Sequence, residues 1–203
     1  MRPTREIEYF YSAHSAYAYL GAWELARIAD QTGARVIHRP FDFHPVINAA
    51  GGQPFKKRSA AHVDYFFGRE LVRWAEWRGL PIVDFRPTYH DNPLHLPNSA
   101  IIAAGEHADA FSRAVLQAHW RDDADIADAA VLHALAEGMG MDAEALLTAA
   151  GSGAIEAQHQ ANTKEAIDRG LFGSPTYFVD GDMFYGQDRL MMVERALDTA
   201  FSR

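Results

Sequence analysis

Residues 173–190, GSPTYFVDGDMFYGQDRL, carry the strongest structural signal in the chain. Pro175 opens a β-branched and aromatic run, DGD at 180–182 has the composition of a tight turn, and a second short apolar run follows. This pattern predicts a β-hairpin with a proline at its first strand residue. A proline that starts a strand often follows a cis peptide bond, which we expect between Ser174 and Pro175. Residues 188–201 then predict a C-terminal helix.

A strand, a helix and a second strand are predicted at the N-terminal end. Ile7–Tyr11 and Arg35–Arg39 have strand composition, and the apolar spacing of Ala16–Thr32 is helical. Gly33 is expected to end the helix and Pro40 the second strand. Three such elements in about 35 residues form a βαβ unit, whose strands pair in parallel.

The middle of the chain is predicted to be mostly helical. Phe41–Phe55 is expected to be irregular and Pro87–Pro97 to be a loop. Helical spacing is found at Ser59–Arg78, Ser99–Glu106, His107–Trp120, Ala127–Glu137, Ala143–Ala150 and Gly153–Asp168. The order βαβ, helices, ββα predicts an α/β fold: a thioredoxin-like domain from about 1–55 and 170–203, with a large all-helical insertion at about 56–169.

Composition limits the classes of partner. The 203 residues are 48% hydrophobic and 23% charged, with a formal net charge of -8. Such a chain can bury a core, and its surface repels nucleic acid and anionic membranes, so neither is expected as a partner. No apolar run approaches the ~20 residues that span a bilayer, and the N-terminus lacks the apolar core of a secretory signal. A cytoplasmic location is the default expectation.

The sequence contains no cysteine, so any thiol that takes part in a reaction must belong to a ligand. This excludes disulfides, thiolate nucleophiles and dithiol oxidoreductase chemistry by the protein's own residues. The ten histidines form no His-Glu-x-x-His or comparable motif, so no metal site is predicted.

Ser15 is the candidate for the reactive position. It lies in the turn before the first helix, where unpaired backbone N–H groups and the helix dipole favour an anion. A serine hydroxyl there can donate a hydrogen bond to a bound thiolate. The competing interpretation is a plain helix N-cap, and it is the cis-proline hairpin about 160 residues later that favours the catalytic one.

The segments around Ser15 and the hairpin resemble those of 2-hydroxychromene-2-carboxylate isomerases and kappa-class glutathione transferases. SAHSAYAYLG at 12–21 is similar to the isomerase pattern Ser-Pro-Tyr-Ser-Tyr-Leu-Ala, and alignment on Tyr17 places Ser15 at the family's catalytic serine. Residues 172–190 match the family's glutathione-binding end almost throughout. We identify the chain as a member of the isomerase family, within the thioredoxin-like superfamily and with DsbA-like organisation.

The resemblance implies glutathione as a cofactor that is used but not consumed, in cis–trans isomerisation of an aromatic keto acid during aromatic-compound catabolism. The implied glutathione-binding residues are Ser15, Ser174, Pro175, Gln187, Asp188 and Arg189. The resemblance also implies that Tyr17, Gln53 and His62 bind the substrate. A homodimer is also implied.

The chain departs from the family pattern at four positions. Ala16 replaces a proline and Ala18 a serine, while Gln53 and His62 stand where the family has an asparagine and a lysine.

Two other functions remain open at this point: a kappa-type transferase that conjugates glutathione to an electrophile, and a non-catalytic thioredoxin-like module that binds a peptide across Pro175.

Overall fold

A four-stranded mixed sheet organises the computed structural model, which describes residues 5–52 and 57–202. The strands are β1 (Glu6–Tyr11), β2 (Arg35–Pro40), β3 (Thr176–Val179) and β4 (Asp182–Tyr185), in the order β2-β1-β3-β4. β1 pairs in parallel with β2 and antiparallel with β3, and β3 and β4 are antiparallel. The predicted βαβ unit and the predicted hairpin are both confirmed, and they share one sheet.

The hairpin forms where the turn sequence predicts it. Asp180 and Gly181 both have positive φ, 50° and 83°, and they connect Val179 to its partner Asp182. Two positive φ angles in a two-residue loop match the right-handed twist of the flanking strands. The Ser174–Pro175 bond is cis, as expected. Pro175 lies one position before β3 rather than in it.

Helix α1 (Ala16–Thr32) has the predicted bounds. Ser15 caps its N-terminus and Gly33 ends it in the left-handed conformation, φ 68°. Its buried face includes Tyr19, Leu20 and Ile28, because apolar side chains recur at the helical period.

The remaining helices lie between β2 and β3 and after β4. They are α2 (Phe43–Ala49), α3 (Ala60–Val63), α4 (Glu70–Arg78), α5 (His95–Ala103), α6 (Ala108–Trp120), α7 (Ala129–Gly138), α8 (Ala143–Ala150), α9 (Gly153–Asp168) and α10 (Leu190–Asp198). A π-helical turn, Asp64–Arg69, joins α3 to α4, and a 3₁₀ turn, Gln187–Arg189, precedes α10. Among the helices that the structure describes, none has the length together with the hydropathy that a membrane span needs.

Two predictions of irregular structure were wrong for the same reason. The segment Phe41–Phe55 contains α2, and the Pro87–Pro97 loop ends early because α5 begins at His95. Each helix has a proline, Pro45 or Pro97, at its third residue. A proline there breaks no hydrogen bond, because N–H groups of the first turn have no partner within the helix.

One buried apolar cluster joins the sheet to the helical middle. It contains Ile7 from β1, Leu20 from α1, Ile101 from α5, Phe111 from α6 and Leu132 from α7. A smaller cluster around Phe10, Phe41 and Phe178 lies beneath α9 residue Ala166. The sheet and the insertion therefore share apolar packing.

We expect Gly21→Ala to destabilise the protein by about 1 kcal/mol or more. A Cβ at Gly21 would lie 2.7 Å from Cβ of Gln187 and 3.0 Å from the Tyr177 hydroxyl oxygen, so α1 would have to move away from the hairpin. Overpacking of this kind costs roughly 1–3 kcal/mol, more than the ~1 kcal/mol that alanine gains over glycine in a helix.

Urea unfolding measures this change, and Gly68→Ala is the matched control. A Cβ at Gly68 meets nothing within 4 Å, so that variant should be neutral or more stable. Equal stability of the two variants would contradict the close approach at Gly21.

Candidate functional site

Ser15 lies where β1 ends and α1 begins. Its hydroxyl oxygen accepts a hydrogen bond from the Ala18 N–H at 3.2 Å, which is the N-cap interaction. The same hydroxyl donates to the backbone oxygen of Ser174 at 3.1 Å. Ser15 is therefore both a helix cap and a direct contact of the loop that contains the cis-proline.

A second hydrogen bond locks the two loops together. The Ser12 N–H donates to the Ser174 hydroxyl oxygen at 3.1 Å. Pairing of Phe10 with Thr176 holds the strands from which the two loops extend. The loops are distant in sequence, but the structure brings them into hydrogen-bond contact.

This junction has the features of an anion site. It combines the N-terminus of a 17-residue helix with a hydroxyl whose proton points at a backbone oxygen rather than into the helix. A ligand thiolate at this position would compete for the Ser15 proton and accept a charge-assisted hydrogen bond.

The start of α10 is held against α4. Gln187 is 1% exposed, and its side-chain oxygen accepts from Arg78 Nη2 at 3.0 Å and Nε at 3.3 Å. The Gln187 amide nitrogen is buried and has no hydrogen-bond partner within the described residues. Arg78 also contacts Glu24 of α1 at 3.5 Å, so the turn is tied to two helices.

Asp188 and Arg189 are the more accessible part of this turn. They form an ion pair at 2.5 Å, and both side chains are more than a third exposed. The Asp188 carboxylate lies against Gly186, whose φ of 97° and lack of a Cβ make room for it. An exposed ion pair contributes little to stability, so a ligand with opposite charges can replace it.

Of the three residues predicted to bind the substrate, the structure describes Tyr17 and His62, and both contact Phe66. The Tyr17 hydroxyl donates to the Phe66 backbone oxygen at 2.6 Å, and burial together with Glu70, Tyr185 and Asp188 raises its pKa. Tyr17 therefore lies on the side of the α10 turn. His62 is exposed and makes an edge contact with the Phe66 ring at 5.8 Å. Gln53 lies outside the described residues.

A cluster of three histidines, His14, His90 and His119, adjoins Ser15 and was not predicted. The His14 and His90 rings are 4.7 Å apart, and His90 Nδ1 and His119 Nε2 share a hydrogen bond of 2.8 Å. Trp120 Nε1 donates to the His14 backbone oxygen at 2.9 Å. The cluster thus connects the Ser15 turn to the end of α6.

Burial is the main cause of the low pKa values in this histidine cluster. It lowers the pKa of His14 well below the usual value, that of His90 to about 3 and that of His119 to about 4. Mutual repulsion and Arg86 add to the effect. Among the described residues no group of three His, Asp or Glu side chains is arranged to hold a metal ion.

Comparison with known proteins agrees with this architecture. Residues 6–198 match the family model of the DSBA-like thioredoxin domain. The 2-hydroxychromene-2-carboxylate isomerase of Sphingobium xenophagum is 30% identical over 195 residues, which cover 96% of this chain and 98% of that protein. The chain belongs to the 2-hydroxychromene-2-carboxylate isomerase family, within the DSBA-like thioredoxin group.

Solved structures extend this comparison. A 2-hydroxychromene-2-carboxylate isomerase superimposes with a TM-score of 0.83 at 26% identity, covering 95% of this chain and 94% of its own. The cytosolic disulfide reductase DsbM from Pseudomonas aeruginosa, solved with GSH, shares the fold with a TM-score of 0.63 at 21% identity. It covers 96% of this chain and 93% of its own. The resemblance inferred from the hairpin and the Ser15 turn is confirmed at the level of the family.

We expect His119→Gln to make the protein less sensitive to acid. The unfolded chain titrates near the ordinary histidine pKa of 6.5, whereas folded His119 has a pKa of about 4. Below pH 6.5 the unfolded state therefore binds more protons, and the wild-type protein loses stability as the pH falls. This side chain accounts for about 3 kcal/mol at pH 4.

Urea unfolding at neutral and acid pH measures the difference. Glutamine keeps a polar group near the position of Nε2 for the bond to His90 but does not titrate. His107→Gln, at an exposed position, is the control. Identical loss of stability on acidification in wild type and His119→Gln would contradict the assigned titration.

Proposed function

We propose that this protein is a glutathione-dependent cis–trans isomerase of an aromatic keto acid of the 2-hydroxychromene-2-carboxylate type, acting in the catabolism of aromatic compounds. Family membership and the relatives named for this activity support an isomerase. The observation that carries glutathione dependence is the Ser15–Ser174 contact in a chain that has no cysteine of its own.

The fit of glutathione to this site rests on the chemistry of the groups present. A serine at a helix N-terminus stabilises a thiolate but cannot replace one, so an external thiol is required. Bound glutathione supplies a thiolate that adds to a conjugated double bond and leaves again after rotation, so that it is not consumed. The protein's own residues bind, orient and ionise this thiol.

In this proposal each of the implied glutathione-binding residues contacts a particular part of glutathione. The Ser15 hydroxyl turns from the Ser174 oxygen to the thiolate. Ser174 and Pro175 present a backbone edge to the cysteinyl peptide group, as an added strand would require. Asp188 takes the γ-glutamyl ammonium and Arg189 the γ-glutamyl carboxylate. For Gln187 we propose that the backbone of its turn, held by Arg78, meets the ligand rather than the buried amide.

Tyr17 and His62 line the substrate side in this proposal, and Gln53 is assigned to the substrate by the family resemblance alone. Tyr17 is close enough to Asp188 for that carboxylate to raise its pKa, which connects the two halves of the site. His62 and Phe66 form an aromatic edge against which a planar substrate can stack.

Reduced glutathione should raise the melting temperature of the protein. A ligand present at 100 times its dissociation constant stabilises the native state by about 2.7 kcal/mol. Differential scanning fluorimetry with reduced glutathione measures the shift, and the S-methylated tripeptide, which has no thiol to ionise, is the control ligand. Absence of a shift and of calorimetric heat with ~10 mM glutathione would overturn glutathione binding. Stoichiometric loss of glutathione during turnover would instead identify a transferase.

Ser15→Ala should raise the pKa of the bound thiol and lower activity about ten- to a hundred-fold. A hydrogen bond to a charged group contributes roughly 1.5–3 kcal/mol, which corresponds to that range. Ultraviolet absorbance of the bound thiolate against pH gives the pKa directly.

Ser152→Ala is a matched control, because Ser152 caps α9 through the Ile155 N–H in the same way that Ser15 caps α1. Both variants lose an N-cap worth about 1 kcal/mol, but only Ser15→Ala should change the thiol titration. If the two variants titrate and turn over alike, Ser15 is only a cap.

A further inference from the structure

Opening of a 2-hydroxychromene ring requires proton transfer that Ser15 and a thiolate do not provide. The compound is a cyclic hemiketal, with its hydroxyl and its ring oxygen on the same carbon. The double bond is confined in the ring until the bond between that carbon and the ring oxygen breaks. The hydroxyl must lose a proton and the departing phenolate oxygen must gain one. A side chain that accepts and then returns one proton accelerates such a step by about 10²–10⁴-fold.

His14 directly precedes Ser15 in the turn before α1. Its Nδ1 shares a hydrogen bond of 2.9 Å with the hydroxyl of buried Ser12. Its ring is flanked by His90 at 4.7 Å and by the edge of Phe43 at 5.5 Å. The His14 side chain is only partly buried, and its Nε2 forms no hydrogen bond within the described residues, so this nitrogen is free to meet a ligand. A base held by a third group is the arrangement of side chains that transfer protons.

The surroundings of His14 keep its imidazole neutral. The charged and titratable groups that act on it are His90 from the 79–94 connection, His119 from α6, His44 from α2 and Arg86, and all lower its pKa, after burial. A neutral imidazole has a lone pair for the incoming proton. A bound carboxylate and thiolate nearby would favour the protonated form, so that substrate binding itself raises the basicity of the ring.

We propose that His14 Nε2 takes the proton from the hemiketal hydroxyl and returns it to the phenolate oxygen as the ring opens. The O–H electrons form the keto carbonyl, and the electron pair of the broken bond goes to the ring oxygen. One proton leaves the hydroxyl and one arrives at the phenolate, so no co-reactant is needed. Nδ1–H donates to Ser12 Oγ throughout, and His90 acts as a positioning residue. This inference rests on the proposed isomerase function.

Two substrates separate ring opening from thiolate chemistry. The cis isomer of benzylidenepyruvate has the conjugated double bond and the keto acid but no phenol, so it cannot form a hemiketal. With glutathione, His14→Gln should isomerise this compound like wild type and 2-hydroxychromene-2-carboxylate about a hundred-fold more slowly. Ser15→Ala should slow both reactions about ten- to a hundred-fold, and His107→Gln, which changes an exposed histidine, should retain both activities.

The outcomes distinguish the two proposals. Equal losses on both substrates, or no loss on either, would overturn the role of His14 while leaving the isomerase function in place if Ser15→Ala is impaired. Wild-type protein that isomerises neither compound would overturn the proposed function and this inference with it. Should His14→Gln fold poorly, His14→Ala with added imidazole replaces it. Restored activity on the chromene supports the proposal, and no restoration contradicts it.

A second measurement needs neither glutathione nor turnover. In protein labelled with ¹⁵N-histidine, the His14 shifts should show a proton on Nδ1 and a bare Nε2 at neutral pH. Chroman-2-carboxylate, a saturated analogue that cannot react, should raise the pKa of His14. A proton on Nε2 in the free protein, or a pKa unaffected by saturating analogue, would overturn the assignment.

Discussion

Antiparallel pairing between β1 and β3 is the constraint on which the candidate site depends. It brings the turn after β1 against the loop before β3, although Ser15 and Ser174 are 159 positions apart. Two hydrogen bonds follow from that pairing: Ser15 donates to the Ser174 backbone oxygen, and the Ser12 N–H donates to the Ser174 hydroxyl. They can form because the turn after β1 and the loop before β3 lie at the same end of these two strands. The same pairing joins the βαβ unit near the start of the chain to the hairpin near its end, so that both belong to one sheet. A slip of one residue would turn every side chain of β3 to the opposite face.

Local chemistry in the sequence was enough to predict the four strands, the parallel βαβ pairing, the hairpin and most helices. Asp180-Gly181 has few conformational options other than a tight hairpin loop, and Gly33 has the left-handed backbone that ends α1. Pro45 and Pro97 were misjudged because a proline disfavours a helix interior but not its first turn, and both were interpreted as helix breakers. The Ser15 turn and the Pro175 loop were recognisable because each is a contiguous motif.

The histidine cluster and the hydrogen bonds from Arg78 to Gln187 could not be predicted in the same way. Each is assembled from side chains on separate elements. His90 and His119 are 29 positions apart in the sequence, and Arg78 and Gln187 are 109 positions apart. No periodicity connects such residues, and a histidine at the end of a helix has no sequence feature that distinguishes a buried contact from a solvated one. These contacts became visible only once the packing of α6 and α4 against the sheet was known.

The two sides of the candidate site come from different parts of the chain. The side proposed for glutathione is built by segments near the two chain ends, whereas the side with His90 and His119 belongs to the connection before α5 and to α6. Trp120 connects the two sides through its hydrogen bond to the His14 backbone oxygen. Under the proposed function, substitutions around His90 and His119 would reshape the wall next to His14 without altering Ser15, Ser174 or the turn before α10. If the proposed function holds, such a division is a route by which a scaffold that activates a thiol acquires new substrates through changes in one wall.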